Sequence, residues 1–159
     1  NVREEINKGF FKRRITDALR YRAPFLNGKE GFRAIFSEGD FLPGLIVDRY
    51  GDCLSVQFLT LGMDMLGGAV IEAIEEVFSP SAIVLRNDTA GRALEGLGRE
   101  KRLLKGNLTT LPIINEGGAS FEVDPLQGQK TGFFLDPAEN RGAFAALVKP
   151  PGKALELFS

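Results

Sequence analysis

The chain has 159 residues, 43% of them hydrophobic and 26% charged, which is typical of a folded protein of about one domain. Its single cysteine, Cys53, excludes an internal disulfide. The absence of histidine excludes Ser-His-Asp triads, Cys-His pairs and histidine-ligated metals, so we expect no metal site. The apolar runs are too short to span a bilayer and no leader pattern opens the sequence. We therefore expect a cytoplasmic protein without membrane partners.

The net charge of −1 is unevenly distributed. Residues 1–22 carry a net charge of +4 and residues 86–105 carry +3, so the rest of the chain is acidic. Two interpretations are open: these are ordinary solvated faces, or they form a footprint for nucleic-acid phosphates. The second interpretation predicts six RNA-binding side chains: Lys12, Arg13, Arg14, Arg99, Lys101 and Arg102.

The first sixty residues predict one helix followed by three strands. Pro24 is expected to end the helix, because proline disfavours helical backbone at the residue before it. Gly51-Asp52 predicts a tight turn that joins the last two strands into a hairpin. Alternation in the third strand predicts that one of its faces is buried. The predicted ranges are Val2–Tyr21 for the helix and Phe32–Ser37, Leu45–Tyr50 and Cys53–Thr60 for the strands.

The middle of the chain predicts a second helix, a strand and another hairpin. Asp64 is a candidate N-cap for a helix over Met65–Phe78, and Ser79-Pro80 is expected to end it. A strand at Ala82–Arg86 follows. The polar, glycine-punctuated stretch from there to Gly106 predicts irregular structure. The second hairpin is expected around Gly117, with its strands at 111–115 and 120–123.

The residues after 125 predict an extended segment at Lys130–Leu135 and a helix over Pro137–Val148. Asp136 stands at the N-cap position and Glu139 at the capping-box position of that helix. Asp136 could instead organise a ligand, and both interpretations stay open. Arg141 is expected to form a salt bridge with Asp136 or Glu139 across the first turns.

Several segments resemble one family. Gly128–Arg141 (GQKTGFFLDPAENR) and Arg33–Tyr50, with its FLPGLIVDRY, resemble two of its sequence blocks, and Arg86–Leu97 lies where the family has an arginine-rich segment. Lys153–Ser159 (KALELFS), an apolar run that predicts a buried strand, is similar to the first half of the class I motif I. The sequence therefore resembles the RlmI-type ribosomal RNA methyltransferases, which use S-adenosylmethionine (SAM) to methylate cytosine C5 in large-subunit ribosomal RNA.

The resemblance implies an α+β central domain, with a mixed sheet, antiparallel hairpins and helices, leading into the truncated start of a Rossmann-like α/β methyltransferase domain. The implied divisions are 1–25 for an N-terminal helix and linker, 26–125 for the central domain and 126–159 for the start of the methyltransferase domain. Catalytic residues are expected beyond Ser159. We accordingly expect this chain alone to be inactive and to bind SAM weakly, with a homodimer as a further expectation from the unpaired strand at 154–158.

The resemblance also implies which residues bind the cofactor. Lys130 offers a positive charge to the SAM carboxylate, Phe133 an apolar face, and Glu156 a negative charge to the amine or sulfonium. Of Phe133 and Phe134, one is expected in the core and the other at the pocket. The complete implied set is Lys130, Thr131, Gly132, Phe133, Asp136, Arg141, Glu156, Phe158 and Ser159.

Two further positions carry expectations, and two rival functions stay open. No Lys or Arg follows Cys53 closely to lower its pKa, and Cys53 begins a predicted hairpin strand, so we interpret it as structural rather than as a nucleophile. Phe41 stands where the family usually has glycine, which disfavours a positive φ there. The rival functions are a methyltransferase acting on guanosine N7, which shares the GQKTGFF-type block, and a non-enzymatic RNA-binding module.

Overall fold

The computed structural model describes residues 4–148. The predicted strand at 153–159 lies outside the described residues. The four α-helices of the described part are α1 (Lys8–Leu26), α2 (Leu61–Met65), α3 (Gly67–Phe78) and α4 (Ala138–Leu147). The seven strands found within residues 4–148 are β1 (Gly31–Phe36), β2 (Leu45–Tyr50), β3 (Cys53–Phe58), β4 (Ala82–Asn87), β5 (Glu100–Lys105), β6 (Ile113–Glu116) and β7 (Ala119–Glu122).

Strands β1 to β5 form one mixed sheet in the order β1-β2-β3-β4-β5. Only β3 and β4 pair in parallel, through the crossover that contains α3, and the other neighbours are antiparallel. Strands β6 and β7 form a separate two-stranded sheet. The predicted mixed sheet and the hairpins at Gly51 and Gly117 are therefore confirmed.

The sheet is covered on both faces. Leu54 and Val56 of β3 point into the main core, which contains the buried faces of α1 and α3. Cys53, on the opposite face of β3, packs with Leu108 and Leu126 from beyond the sheet. Every residue of β3 is buried, so the prediction of a single buried face is wrong. Alternation distinguished the two faces but could not show that a second layer covers the other one.

Helix α1 begins where Asn7 accepts a hydrogen bond from the backbone N–H of Phe10, at 3.2 Å. It continues through Pro24 to Leu26, so the predicted stop is wrong. Proline removes one helical hydrogen bond, the one to the carbonyl of Arg20. Arg20 is exposed, so water can hydrogen-bond that carbonyl. The helix ends instead at Asn27, whose φ of 43° is left-handed.

The second predicted helix is divided into α2 and α3. Thr60 begins α2 by accepting a hydrogen bond from the N–H of Met63 at 3.4 Å. Asp64 lies inside α2 and its carboxylate accepts a hydrogen bond from Arg92 at 2.9 Å, so its predicted role as a cap is wrong. A distant arginine, which local sequence cannot place, satisfies this carboxylate. Ser79 ends α3 in the left-handed region, as predicted.

The stretch predicted as irregular contains strand β5, which pairs antiparallel with β4. That prediction is wrong for residues 100–105. The sequence EKRLLK is charged because β5 is the edge of the sheet and its residues are mostly exposed. Only its two leucines give an apolar signal. A charged edge strand therefore lacks the alternation by which buried strands are predicted.

Phe41 adopts a left-handed φ of 57°, although its side chain disfavours it, so that expectation is also wrong. Its neighbours determine the backbone. The N–H of Leu42 donates to the carbonyl of Ser37 at 3.0 Å, and the Leu42 side chain is fully buried.

Within residues 4–148, no helix has the length and apolarity to cross a membrane.

Candidate cofactor-binding cleft

A cleft of about 840 Å³ lies between the end of α1, β1, the β6–β7 hairpin and the loop at residues 128–136. This volume is in the range of small-molecule and cofactor sites. The side chains that line it include basic, acidic and apolar ones. The charged lining residues are Arg22, Lys29, Arg33, Glu116, Lys130 and Asp136, and the aromatic ones are Phe32, Phe36 and Phe133.

The loop at 128–136, which we call the cleft loop, is a series of turns rather than the predicted extended segment. Lys130 has a φ of 54° and Gly132 one of 135°, both in the region that favours glycine. A Cβ on Gly132 would lie 2.9 Å from the Cα of Pro125, because the chain doubles back on itself here. Gly128 and Gly132, on either side of Gln129-Lys130-Thr131, therefore permit the turn, and the prediction of an extended segment is wrong.

A buried polar network, the Asp48 network, attaches the cleft loop to β1 and β2. Asp48 has no exposed surface, and Arg33 donates to both of its carboxylate oxygens at 2.8 and 2.9 Å. Thr131 donates to the same carboxylate at 2.5 Å and lies 2.9 Å from the hydroxyl of Tyr50. The N–H of Phe133 donates in turn to the Tyr50 hydroxyl at 3.3 Å. The loop is thus held by side chains about eighty residues earlier in the sequence.

Burial and neighbouring charges shift the pKa values of Tyr50 and Arg33 in the network. Burial, with the neighbouring Asp48 charge, raises the pKa of Tyr50 to about 12, so the phenol is neutral and can donate to Thr131. The hydrogen bonds that Arg33 donates to the Asp48 carboxylate raise the pKa of Arg33, so the guanidinium stays charged. The chain of donors therefore runs from Tyr50 through Thr131 to the Asp48 carboxylate.

Three of the residues predicted to bind the cofactor line the cleft: Lys130, Phe133 and Asp136. The Lys130 ammonium lies 3.0 Å from the Asp136 carboxylate and 4.3 Å from the centre of the Phe134 ring. This pairing lowers the pKa of Asp136. Asp136 does not cap α4, whose first turn has no side-chain cap, so the capping interpretation is wrong. Its carboxylate binds Lys130 instead.

Thr131 and Arg141 hold the cleft loop in place and do not line the cleft. Thr131 is 2% exposed, with its hydroxyl committed to the Asp48 network. Arg141 donates to both oxygens of Glu116 at 2.7 and 2.8 Å and to the carbonyl of Phe134 at 2.9 Å. The predicted salt bridge of Arg141 with Asp136 or Glu139 is therefore wrong, because Glu116 offers a two-oxygen partner.

The remaining predicted residues have other surroundings. Gly132 forms the turn without lining the cleft. Phe133 packs against Tyr50 and also lines the cleft, whereas Phe134 is 38% exposed, so the predicted division between core and pocket is wrong. Glu156, Phe158 and Ser159 lie outside the described residues.

The residues predicted to bind RNA lie on two separate elements, α1 and the edge strand β5 with its approach. Lys12 pairs with Glu76 at 2.9 Å, Arg13 pairs with Glu4, and Arg102 pairs with Glu100 at 3.0 Å. Lys101 donates to Gln127 at 2.6 Å. Arg14 lies over aromatic rings, and Arg99 is exposed. Their contact with RNA stays a prediction.

Sequence reasoning missed Arg33, Asp48 and Tyr50 as parts of the site. One signal was available, since Asp48 interrupts an otherwise apolar strand, LIVDRY, and a buried carboxylate needs partners. The structure agrees with the structural interpretation of Cys53. Its side chain is buried, and burial raises the pKa of its thiol to about 11, which leaves it un-ionised at neutral pH.

No family model matches the chain. It is 40% identical over 149 residues to ribosomal RNA large subunit methyltransferase I of Shewanella denitrificans and 37% identical over 150 residues to the protein of that name from Pseudoalteromonas translucida. Each alignment covers 92% of this chain and 38% of the relative. The chain therefore spans about two fifths of the length of the curated relatives it matches.

The fold is shared with solved structures. A protein from Streptococcus mutans assigned to the SAM-dependent methyltransferases superposes with a TM-score of 0.71 at 20% identity, covering 89% of this chain and 36% of that one. A second structure, assigned to the methyltransferases and complexed with SAH, also gives 0.71, at 18% identity, over 88% of this chain and 36% of that one. Over 92% of its residues the chain is thus homologous to a segment of the ribosomal RNA large subunit methyltransferase I proteins.

Proposed function

We propose that the whole protein is a SAM-dependent methyltransferase that methylates cytosine C5 in large-subunit ribosomal RNA. The observation that carries the proposal is the identity of 36–40% to relatives that bear the ribosomal RNA methyltransferase name. The same relatives support ribosomal RNA as the partner. The choice of cytosine rests on the family that the GQKTGFFLDPAENR block resembles.

Two oppositely charged side chains at the cleft support the proposal that it binds SAM. SAM supplies an electrophilic methyl group on a sulfonium, and its amino-acid end carries a carboxylate and an amine. Lys130 and Asp136 present opposite charges at the cleft, with side chains 47% and 72% exposed. The SAM carboxylate can therefore pair with Lys130, and the SAM amine with Asp136, in place of the ion pair that the two side chains form with each other. An exposed pair contributes little on its own, so exchanging it costs little.

The apolar part of the cleft is suited to the uncharged parts of the ligand. Phe133 and Leu135 follow Lys130 in the cleft loop, and both line the cleft. Arg141 lies 4.8 Å from the centre of the Phe133 ring and limits its movement. We assign Lys130, Phe133 and Asp136 to cofactor contact, and Thr131 and Arg141 to holding the loop in position.

The test uses the whole protein with isotopically labelled SAM and large-subunit ribosomal RNA that lacks the modification. Mass spectrometry of the digested RNA is expected to show labelled 5-methylcytidine. Labelled 7-methylguanosine would overturn the choice of base while leaving the methyltransferase assignment intact. No labelled nucleoside would overturn the proposed function.

The cofactor contacts are tested separately with two carboxamide variants. Asp136→Asn removes the carboxylate from the cleft, so the KM for SAM is expected to rise about tenfold, as for loss of one charge-assisted hydrogen bond. Glu139→Gln removes an exposed carboxylate three residues later, outside the cleft lining, and is expected to leave KM unchanged. Equal KM values for both variants would contradict the assignment of Asp136.

A further inference from the structure

Three large aromatic side chains are exposed near one side of α1. Tyr21 is 74% exposed, Phe25 is 65% exposed, and Phe41, from the loop beside the helix, is 72% exposed. Scattered apolar residues at a surface are ordinary, but adjacent aromatic rings are not. The rings of Tyr21 and Phe25 have centroids 6.2 Å apart. Tyr21 and Phe25 therefore form one local surface feature rather than two isolated exposed residues.

The rings continue along α1 as one stripe. Positions 10, 14, 21 and 25 are spaced by four and seven residues, which places them on one side of a helix. The Arg14 guanidinium lies 5.4 Å from the ring centres of both Phe10 and Phe41. We call this surface the aromatic face, and its members are Phe10, Arg14, Tyr21, Phe25 and Phe41.

An ion pair places Phe41 beside the helix. Arg22 of α1 donates to both oxygens of Asp40 at 2.8 and 2.6 Å, and Asp40 also accepts the N–H of Phe36 at 2.6 Å. Phe41 follows in the left-handed region, where a residue with a side chain is strained. Phe41 has a strained backbone and a ring exposed to water, so it contributes little to the stability of the fold. Such strain is more common at functional positions.

We propose that the aromatic face binds a single-stranded segment of RNA, whose unstacked bases lie on these rings. This proposal rests on the proposed function, which makes RNA the substrate. Single-stranded nucleic acids are bound by aromatic and guanidinium planes next to positive charge. Five of the six basic residues of α1 pair with carboxylates. The sixth, Arg14, lies on the aromatic face and has no carboxylate partner among residues 4–148, so its charge suits a phosphate next to the stacked bases.

The test measures binding of the 159-residue chain to fluorescein-labelled single-stranded oligoribonucleotides of mixed sequence, by anisotropy. The variants are Tyr21→Ser, Phe25→Ser and Phe41→Gly, singly and together. Glycine suits the left-handed backbone at position 41, so that variant is expected to fold at least as well as the wild type. Each loss of a ring is expected to weaken binding about fivefold or more. The salt dependence is expected to keep its slope, since no cation is removed.

The matched control is Phe144→Ser, which removes a 58% exposed ring from α4, away from the aromatic face. Unchanged affinity in the triple variant, or an equal loss in the control, would overturn the proposal. So would a wild-type dimer that the triple variant converts to monomer in sedimentation, which would show an interface between copies. If the wild-type chain binds no RNA, this proposal is wrong. The proposed function is not affected by that result, because the methylation assay of the whole protein tests it separately.

Discussion

Two regions of the molecule are held together in different ways. The sheet region, residues 8–105, is built on apolar side chains that α1, α3 and the five strands bury. The loop region, residues 113–147, contains a two-stranded sheet and α4, and α4 buries none of its residues. The first region is stabilised by burial, which has no preferred direction. The second packs a smaller apolar cluster, including Ile114 and Val123, against Tyr50, and directional polar contacts position it in addition.

Those contacts are distributed along the boundary between the regions. Beyond the Asp48 network, Glu30 accepts two hydrogen bonds from Asn115 at 2.9 Å each. Arg86, itself 3% exposed, donates to the carbonyl of Pro125 at 2.9 Å. Hydrogen bonds require orientation, so they specify where the cleft loop lies in a way that burial alone would not. Single substitutions at the boundary are therefore expected to alter the cleft.

The largest effect is expected for Asp48→Ala. This change leaves Arg33 and Thr131 without their common acceptor in a buried site, and the free energy of unfolding is expected to fall by about 3 kcal/mol. The measurement is urea unfolding. Asp52→Ala is the matched control, because the Asp52 side chain is 80% exposed and its pairing with Arg49 is a surface one. Equal losses for the two variants would show that the Asp48 network does not hold the regions together.

A steric change at the same boundary is expected to cost less. An added Cβ on Gly31 of β1 would lie 2.7 Å from Cδ1 of Ile114 and 3.3 Å from Leu135, both in the loop region. Ile114 is buried, so it has little room to move, and Gly31→Ala is expected to destabilise by about 2 kcal/mol. Gly39→Ala, whose added Cβ would make only an ordinary contact with Phe36 at 3.4 Å, is the control for urea unfolding. No difference between them would mean that the two regions are not closely packed here.

Alkaline pH is expected to weaken the same boundary through Tyr50. Its pKa is raised to about 12 in the folded protein, above the ordinary value near 10. Because the unfolded phenol ionises first, the contribution of Tyr50 is fully present below pH 10 and is lost as the pH rises towards 12.

Tyr50→Phe is therefore expected to lose about 1 kcal/mol at neutral pH and to show a shallower fall in stability above pH 10. Urea unfolding at several pH values measures both effects. Tyr21→Phe removes a 74% exposed phenol and is the matched control. An identical alkaline slope in wild type and Tyr50→Phe would contradict the burial of this hydroxyl in the network.

The parts of the fold that could be predicted are those that neighbouring residues determine. The hairpin at Gly51 follows from a turn sequence between two alternating strands, and the α3 stop at Ser79 follows from the proline after it. The wrong predictions involve distant partners. Asp64 was predicted to be a cap because its hydrogen-bond partner, Arg92, lies 28 residues later in the sequence. Strand β5 was predicted to be irregular because its own residues do not reveal that it pairs with β4.

The candidate site divides in the same way. Lys130, Phe133 and Asp136 could be named because they belong to one contiguous block that resembles a known family. The Asp48 network could not, because Asp48 and Thr131 are separated by 83 residues and meet only in the folded chain. Local sequence thus predicted three residues that line the cleft but not the residues that hold the cleft loop.

The most direct measurement compares SAM affinity of the whole protein in two variants at Thr131, by calorimetry. Thr131 is buried and does not line the cleft, so it affects the cofactor only by holding the loop. Thr131→Val keeps the size but removes the hydroxyl, and SAM is expected to bind about fivefold more weakly, equivalent to about 1 kcal/mol. Thr131→Ser keeps the hydroxyl and is expected to bind like the wild type. Wild-type affinity in Thr131→Val would contradict the claim that the sheet region holds the cleft loop in the position that SAM binding requires.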